Sequence, residues 1–380
     1  MQKPLRIRLH VLSPIHIGCD DVYEPTSFVI NPDKKQLIAF DPLAFVKTLS
    51  VEEKKELSKI SETGTLASII EMYRFVFNRR SKIAGWNVDL AVEIVERYLN
   101  VKNMPLNENK IKQELNNFVI PRTAYNPINN MPYIPGSSLK GSLRTGYLSM
   151  LALGGGNHSG LKSILSGGEP ASAITNRVKA SELEKDLLKG TFAEDPFRLV
   201  KVSDLLPLKS IKTKIMYAIN QKKYKTEFGK GIPQILEVML ADSVFEGTIT
   251  IENPINGTGI KEPIEKGLLI AASHKHYTRV FNNENMIAKK LMFRMPTVNT
   301  LMNEIMKNTG KRPFLIRIGR HSGAEAVTIE GNRKIKIRGQ GRESWDSNTG
   351  ATTIWLSSEM SKPETANALT PFGWAMVEIL

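Results

Sequence analysis

Alternation along the opening residues restricts the fold of this chain more than any other feature of its sequence. In "LRIRLHV" the apolar residues at positions 5, 7, 9 and 11 point to one side, and Arg6, Arg8 and His10 point to the other. This two-residue period is typical of a β-strand in a sheet with one buried and one solvated face. The buried face needs a second layer, so we expect an antiparallel sheet covered by helices.

The order of the later elements predicts an α+β protein. Strand patterns in "TSFVIN" and "KQLIAF" flank the turn-forming "NPDKK", which predicts a hairpin, and a charged helical insertion follows at about residues 50–115. From about residue 233 the second half repeats the order of strand, helix, strands and final strand. We therefore predict two tandem α+β domains, residues 1–232 with the insertion and residues 233–380.

Charge favours nucleic acid as the partner. The chain carries 52 Lys and Arg against 38 Asp and Glu, a formal charge of +14, which attracts nucleic acid, anionic membranes or acidic proteins. Its single cysteine, Cys19, can form neither an internal disulfide nor, alone, a thiolate metal site. Without a long apolar window or a signal-peptide core, we expect a cytoplasmic protein with no membrane partner.

The segment "YIPGSSLKGSLRTGYLSML" at residues 133–151 resembles a nucleotide loop but lacks its essential lysine. Gly136 and Gly141 have the spacing of a P-loop, yet Ser142 stands where the lysine must be. A strand, a turn and a helix start fit better, with Ser137 or Ser138 as the cap.

That helix start is a candidate anion site. Unpaired N–H groups and the helix dipole attract a phosphate there, Lys140 and Arg144 share one face, and Gly141 leaves room for an incoming backbone. An ordinary helix start with two solvated cations is the alternative.

A second basic segment lies in the other half of the chain. Between residues 311 and 342 there are nine Lys and Arg, Arg317 and Arg338 among them, against two acids. Gly319 and Gly323 bracket Arg320 and His321 in a loop after a strand, where flexible backbone and cations can follow a sugar-phosphate chain. A basic surface hairpin is the alternative.

The six histidines show no metal-ligand spacing, so we expect no metal and no cofactor. His16, just after the first strand, could act as a general base on a ribose 2′-OH. A histidine that contacts RNA or is simply buried is the commoner case.

Four segments carry a resemblance to a known family. "SPIHIG" after the first strand, "YIPGSSLKGSLRTGYL", "IRIGRHSGAEAVTI" and the closing "PFGWAMVEIL" occur in the order found in the RAMP superfamily of CRISPR proteins. In order and length the chain is most similar to the subunit family at the crRNA 3′ end of type III-A (Csm) effector complexes.

The resemblance implies two tandem ferredoxin-like, RRM-related domains and a non-catalytic role. It implies contacts with crRNA and with other Csm subunits, including the repeating backbone RAMP subunit, and a part in crRNA maturation through host nucleases. By position it places Gly136, Ser137, Ser138, Lys140 and Arg144 at the RNA groove, with Arg320 and His321 beside it. No aromatic residue of "RIRLHVL" can stack on bases, so recognition should follow the RNA backbone.

Three functions stay open at this point. The first is a non-catalytic crRNA-binding subunit. The second is a metal-independent RNA endonuclease with His16 as general base and Lys140 or Arg144 stabilising the scissile phosphate, and the third is a pure protein adaptor. Whether the lysine-rich residues 209–230 meet RNA or protein is not decided by the sequence.

Overall fold

The computed structural model describes residues 3–105, 111, 119–170, 180–225, 232–254, 259–260, 262–338, 343–346 and 350–380. Its strands are β1 Leu5–Val11, β2 Gly18–Tyr23, β3 Phe28–Asn31, β4 Gln36–Ala39, β5 Trp86–Leu90, β6 Ile120–Thr123, β7 Val200–Val202, β8 Leu206–Pro207, β9 Thr213–Lys222, β10 Gln234–Met239, β11 Val244–Ile251, β12 Phe314–Arg317, β13 Ile335–Arg338, β14 Glu343–Asp346, β15 Thr353–Ser358, β16 Thr370–Pro371 and β17 Trp374–Ile379. Within the same residues the α-helices are α1 Pro42–Lys47, α2 Val51–Glu62, α3 Leu66–Asn78, α4 Val92–Asn103, α5 Gly136–Leu153, α6 His158–Leu165, α7 Ala180–Leu188, α8 Lys266–Leu291 and α9 Asn299–Thr309.

The opening strand lies at the centre of the first large sheet. The strand order is β12–β17–β1–β11–β7, with β8 also on β11, and all neighbours are antiparallel. In β1, Ile7, Leu9 and Val11 are buried, whereas on the opposite face His10 Nε2 lies 2.8 Å from Glu378 Oε2. The strand that the alternation predicts is confirmed.

Helices α5 and α8 cover the buried face of this sheet and share its core. The two helices approach closely at Gly146, because a Cβ at that position would lie 2.8 Å from the Cα of Ser273. Tyr277 on α8 donates a hydrogen bond from its hydroxyl to the carbonyl of Ser142 on α5, at 3.0 Å. Along the chain the elements of this layer follow the order β1, α5, β7, β8, β11, α8, β12 and β17.

The second large sheet has the order β16–β15–β9–β5–β4–β3, with β10 pairing with β9. The predicted hairpin is present as β3 and β4, which pair from Phe28 opposite Ala39 to Asn31 opposite Gln36. Strand β5 joins β9 in parallel, a pairing that a helix or long crossover must span. Aromatic rings fill the core on one side, where Phe28, Tyr73 and Tyr98 lie within 6.3 Å of one another, centroid to centroid.

The predicted helical insertion is only partly helical. Helices α2, α3 and α4 fall within residues 50–115 as expected, but β5 lies between α3 and α4 and is an internal strand of the second sheet. In β5, Val88 and Leu90 are buried while Asn87 is exposed, the same alternation that marks β1. The insertion is therefore tied into the second sheet through this strand.

The protein has a mixed α+β fold, as predicted. Both large sheets combine strands from the two sides of residue 232, since β1 pairs with β11 and β17, and β9 pairs with β10 and β15. The division into residues 1–232 and 233–380 stays a prediction. Among the described residues, no helix combines the length and apolar character needed to cross a membrane.

Candidate nucleic-acid interface

Three loops that are far apart in the sequence meet beside the first sheet. They comprise residues 12–17 after β1, 318–323 after β12 and 372–373 before β17, and we call this place the loop junction. The N–H of Arg320 donates to the carbonyl of His16 at 2.8 Å, and the N–H of Gly373 donates to that of Pro14 at 2.9 Å. The "SPIHIG" and "IGRHSG" segments, identified separately in the sequence, are thus in direct contact.

Glycines at the junction are required by geometry. Gly319 has φ +84° and Gly373 φ +89°, a region that L side chains rarely adopt. A Cβ on Gly319 would lie 2.6 Å from the His16 carbonyl oxygen, and one on Gly373 2.5 Å from the Ile318 carbonyl oxygen. These glycines therefore let the loop at 319–323 pack directly against residues 12–17.

His16 is fully buried at this junction. Its exposed fraction is 0%, its Nδ1 lies 2.7 Å from the Glu237 carbonyl oxygen and so carries the proton that it donates, and burial lowers its pKa. Nε2 has no hydrogen-bond partner among the described residues. A neutral ring is chemically suited to be a base, but its burial keeps it from a ribose 2′-OH, which weighs against the endonuclease hypothesis.

The glycine loop presents one exposed cation, Arg320. This side chain is exposed and forms no ion pair with the described residues. His321 instead turns inward at φ +66°, with its ring 4.4 Å from that of Trp355 and 5.4 Å from that of Phe372, centroid to centroid. Burial lowers the pKa of His321 to about 3, so it is neutral at pH 7 and belongs to an aromatic stack. Gly323, at φ +82°, ends the loop.

Arg317 has a structural role that the sequence did not suggest. It is 4% exposed, its Nη1 lies 2.8 Å from Glu284 Oε2, and its Nε donates to the Phe372 carbonyl at 2.9 Å. Trp374 Nε1 donates to the same carboxylate oxygen at 2.7 Å. The prediction that Arg317 contacts RNA therefore needs correction, because its guanidinium lies inside the fold.

The start of α5 differs from its prediction. The helix begins at Gly136 after Pro135, and neither Ser137 nor Ser138 caps it with its side chain. Instead the Asp204 carboxylate accepts a hydrogen bond from the Gly136 N–H at 2.8 Å. The positive end of the helix thus has an anion from the protein itself, and a phosphate there would have to compete with it.

The two cations of α5 differ in availability. Arg144 is paired with Glu184 at 2.6 Å and with Asp195 at 2.7 Å. Lys140 is half-buried and forms no salt bridge within the described chain, and its pKa is lowered by burial and by the nearby Lys201. Lys140, not Arg144, is therefore the cation of this helix that a phosphate can approach.

A hydrogen bond connects α5 to the strand that leads into the glycine loop. Ser142 donates from its hydroxyl to the Arg317 carbonyl at 2.9 Å, which joins α5 to the strand that leads into Arg320. Gly141 is exposed, and a Cβ there would meet no atom within 4 Å. The prediction that Gly141 leaves open space on the helix agrees with this geometry. Arg338 lies in β13, but its side chain is outside the described part of the chain.

Glu237 supports the junction and was missed from the sequence. It is 4% exposed, and its two carboxylate oxygens accept from Thr123 N–H at 3.1 Å and from Thr213 Oγ1 at 2.6 Å. Burial raises its pKa. In the sequence, Glu237 stands out only as a single acid inside the apolar run "ILEVML". This pattern does not predict which residues the carboxylate contacts.

Two cations of the predicted site can contact a phosphate, and the described residues form no metal-binding cluster. Arg320 and Lys140 are available, and the other cations of the predicted site are paired or outside the described residues. Among the residues that the structure covers, no group of three or more His, Cys, Asp or Glu is placed to hold a metal ion.

Comparisons with known proteins relate both sequence and fold to CRISPR proteins. The RAMP superfamily model matches residues 8–290. A curated relative, the CRISPR system protein Csm5 of Methanocaldococcus jannaschii, is 24% identical over 205 residues, which are 54% of this chain and 43% of the relative. The match thus spans less than half the length of that relative.

Two solved structures share the fold over nearly the whole chain. A chain of a Csm–crRNA–target RNA ternary complex of a type III-A CRISPR-Cas system, solved by cryo-electron microscopy, has a TM-score of 0.54 at 17% identity and covers 99% of this chain and 100% of its own. The crystal structure of T. onnurineus Csm5 has a TM-score of 0.51 at 16% identity, covering 98% and 100%.

Proposed function

The chain belongs to the RAMP superfamily, and from this premise we propose that it is a non-catalytic, crRNA-binding structural subunit of a type III-A CRISPR interference complex. It caps the 3′ end of the crRNA and contacts the repeating backbone RAMP subunit. It supports crRNA maturation by host nucleases and antiviral defence in the cytoplasm.

Arg320 carries this proposal. It is an exposed arginine without an ion pair among the described residues, on a loop whose backbone is fixed by the His16 and Gly373 contacts. An exposed arginine on a loop held by these hydrogen bonds can bind a phosphate, whichever base the nucleotide carries. The formal charge of +14 adds long-range attraction.

The topology supports a ferredoxin-like unit. Apart from the additional strands β8 and β12, the first sheet with α5 and α8 follows the order β1, α5, β7, β11, α8, β17, which resembles the β-α-β-β-α-β pattern of that fold. We propose that the second sheet is the centre of a second such unit. The antiparallel neighbours of β1 come from distant segments, so the two units interpenetrate along the chain.

Charge reversal at the two available cations tests the proposal. We expect the purified protein to bind single-stranded repeat RNA, with log K falling linearly as log salt rises, by about 0.7 for each phosphate contact. Arg320→Glu and Lys140→Glu should each weaken binding and make this slope shallower by about that amount. Lys307→Glu, at an exposed position of α9, is the matched control and should leave the slope unchanged.

The remaining hypotheses make different predictions in the same assay. Binding that is weak at low salt, or equally weakened by all three substitutions, would favour the adaptor. Metal-independent cleavage of the RNA that disappears in His16→Ala would instead establish the endonuclease.

A second experiment concerns Gly141. Because its Cβ position is open, Gly141→Ala should raise the free energy of unfolding by about 0.5–1 kcal/mol, measured by urea denaturation. If RNA passes over this face of α5, the added methyl group should also weaken RNA binding. Gly267→Ala, at an equally open helical position in α8, should leave RNA affinity unchanged, and equal affinity of the two variants would place the RNA elsewhere.

A further inference from the structure

A cavity of about 450 Å³ lies next to the glycine loop, between α8, β15 and the residues that follow β9. Gly323, the last residue of the loop, lines it, as do Ile287 of α8 and Ile354 of β15. Its volume lies within the ~300–1,000 Å³ of small-molecule sites. The cavity therefore adjoins the surface proposed for the RNA and can hold part of a nucleotide.

The charges in its wall largely cancel one another. Three ion pairs line it, Arg317 with Glu284 at 2.8 Å, Lys223 with Glu325 at 2.6 Å and Arg333 with Glu330 at 2.5 Å. A highly charged ligand is not what such a wall attracts most strongly. A flat, polar and nearly neutral group suits it better.

Polar and aromatic side chains surround the opening of the cavity. Asn283 is exposed and makes no side-chain hydrogen bond with the described residues. Tyr224 is 69% exposed at the rim, with Lys290 Nζ 5.8 Å from its ring centroid. Exposed tyrosine rings stack on bases, asparagine amides pair with the edge of adenine, and lysine binds phosphate.

We propose that this cavity holds the purine base of one nucleotide of the bound RNA. Tyr224 stacks on the base, Asn283 pairs with its edge and Lys290 contacts the adjoining phosphate. This inference rests on the proposed function, because the same RNA must pass the glycine loop. Adenine fits best, since the amide of Asn283 offers one donor and one acceptor.

Two asparagines and two lysines that are neighbours on α8 provide matched test and control positions. Asn283 and Lys290 line the cavity, whereas Asn282 and Lys289, also exposed, do not. Oligouridine RNAs with one adenosine at successive positions should show one position at which adenosine increases affinity about tenfold or more. Tyr224→Ala and Asn283→Ala should abolish the preference and Lys290→Ala should weaken it, while Asn282→Ala and Lys289→Ala should retain it.

The possible negative results distinguish an error in this inference from an error in the proposed function. If the protein binds RNA tightly but prefers adenosine at no position, this inference is wrong and the proposed function stands. If the protein does not bind RNA at all, this inference and the proposed function are both wrong. Free AMP, tested by calorimetry, should bind far more weakly than the RNA. AMP binding that RNA does not compete with would assign the cavity to a free nucleotide and overturn the inference.

Discussion

Arg317→Met should lower the free energy of unfolding by about 3–5 kcal/mol, the usual cost of removing one partner from a buried ion pair. The substitution leaves the Glu284 carboxylate buried, with Trp374 Nε1 as its remaining donor, and deprives the Phe372 carbonyl of the Arg317 Nε–H. Denaturant unfolding followed by tryptophan fluorescence measures the loss directly, because Trp374 lies at the site.

Two further variants make this test specific. Arg312→Met removes an exposed arginine just before the same strand and should change stability by no more than about 0.5 kcal/mol. Adding Glu284→Met to Arg317→Met should recover part of the loss, since the unpaired charge is then absent. A single variant as stable as Arg312→Met would mean that the pair contributes little to the fold.

Gly319→Ala should strongly destabilise the loop junction. The residue would be forced to keep a positive φ, at about 1–2 kcal/mol, and its Cβ would lie 2.6 Å from the His16 carbonyl. That carbonyl accepts the Arg320 N–H, so relief of the clash must move Arg320. We expect a loss of more than about 2 kcal/mol in stability together with weaker RNA binding.

Gly310→Ala separates the cost of the positive φ from the cost of the steric clash. Gly310 has φ +67° but open space around its Cβ position, so the variant has the cost of backbone conformation without the clash. It should lose about 1 kcal/mol and bind RNA normally. Equal stability and affinity in both alanine variants would contradict a close approach between the glycine loop and His16.

Local patterns in the sequence predicted local structure well. Strict alternation predicted β1, and turn residues predicted the hairpin of β3 and β4. Each of these depends on residues close together in the chain. The mixed α+β class follows from their order.

Partners distant in sequence were not predictable. Arg144 looked available until Glu184 and Asp195 were seen to pair with it, and the start of α5 looked like an empty anion site until Asp204 was seen to fill it. The same limitation applies to Arg317, whose partner Glu284 is on α8. Sequence composition marks a residue as charged, but only the fold decides whether that charge is already neutralised.

The central position of β1 has a consequence for how this protein is made. Its two neighbours are β11 and β17, and Ile7 is opposite Ile379. A ribosome releases residue 7 long before residue 379, so β1 waits for β17 before its sheet is complete. Such distant pairing slows folding and exposes unpaired strand edges in the meantime. We therefore expect nascent chains of this protein to depend on chaperones, or on early binding of their partners, until β17 has left the ribosome.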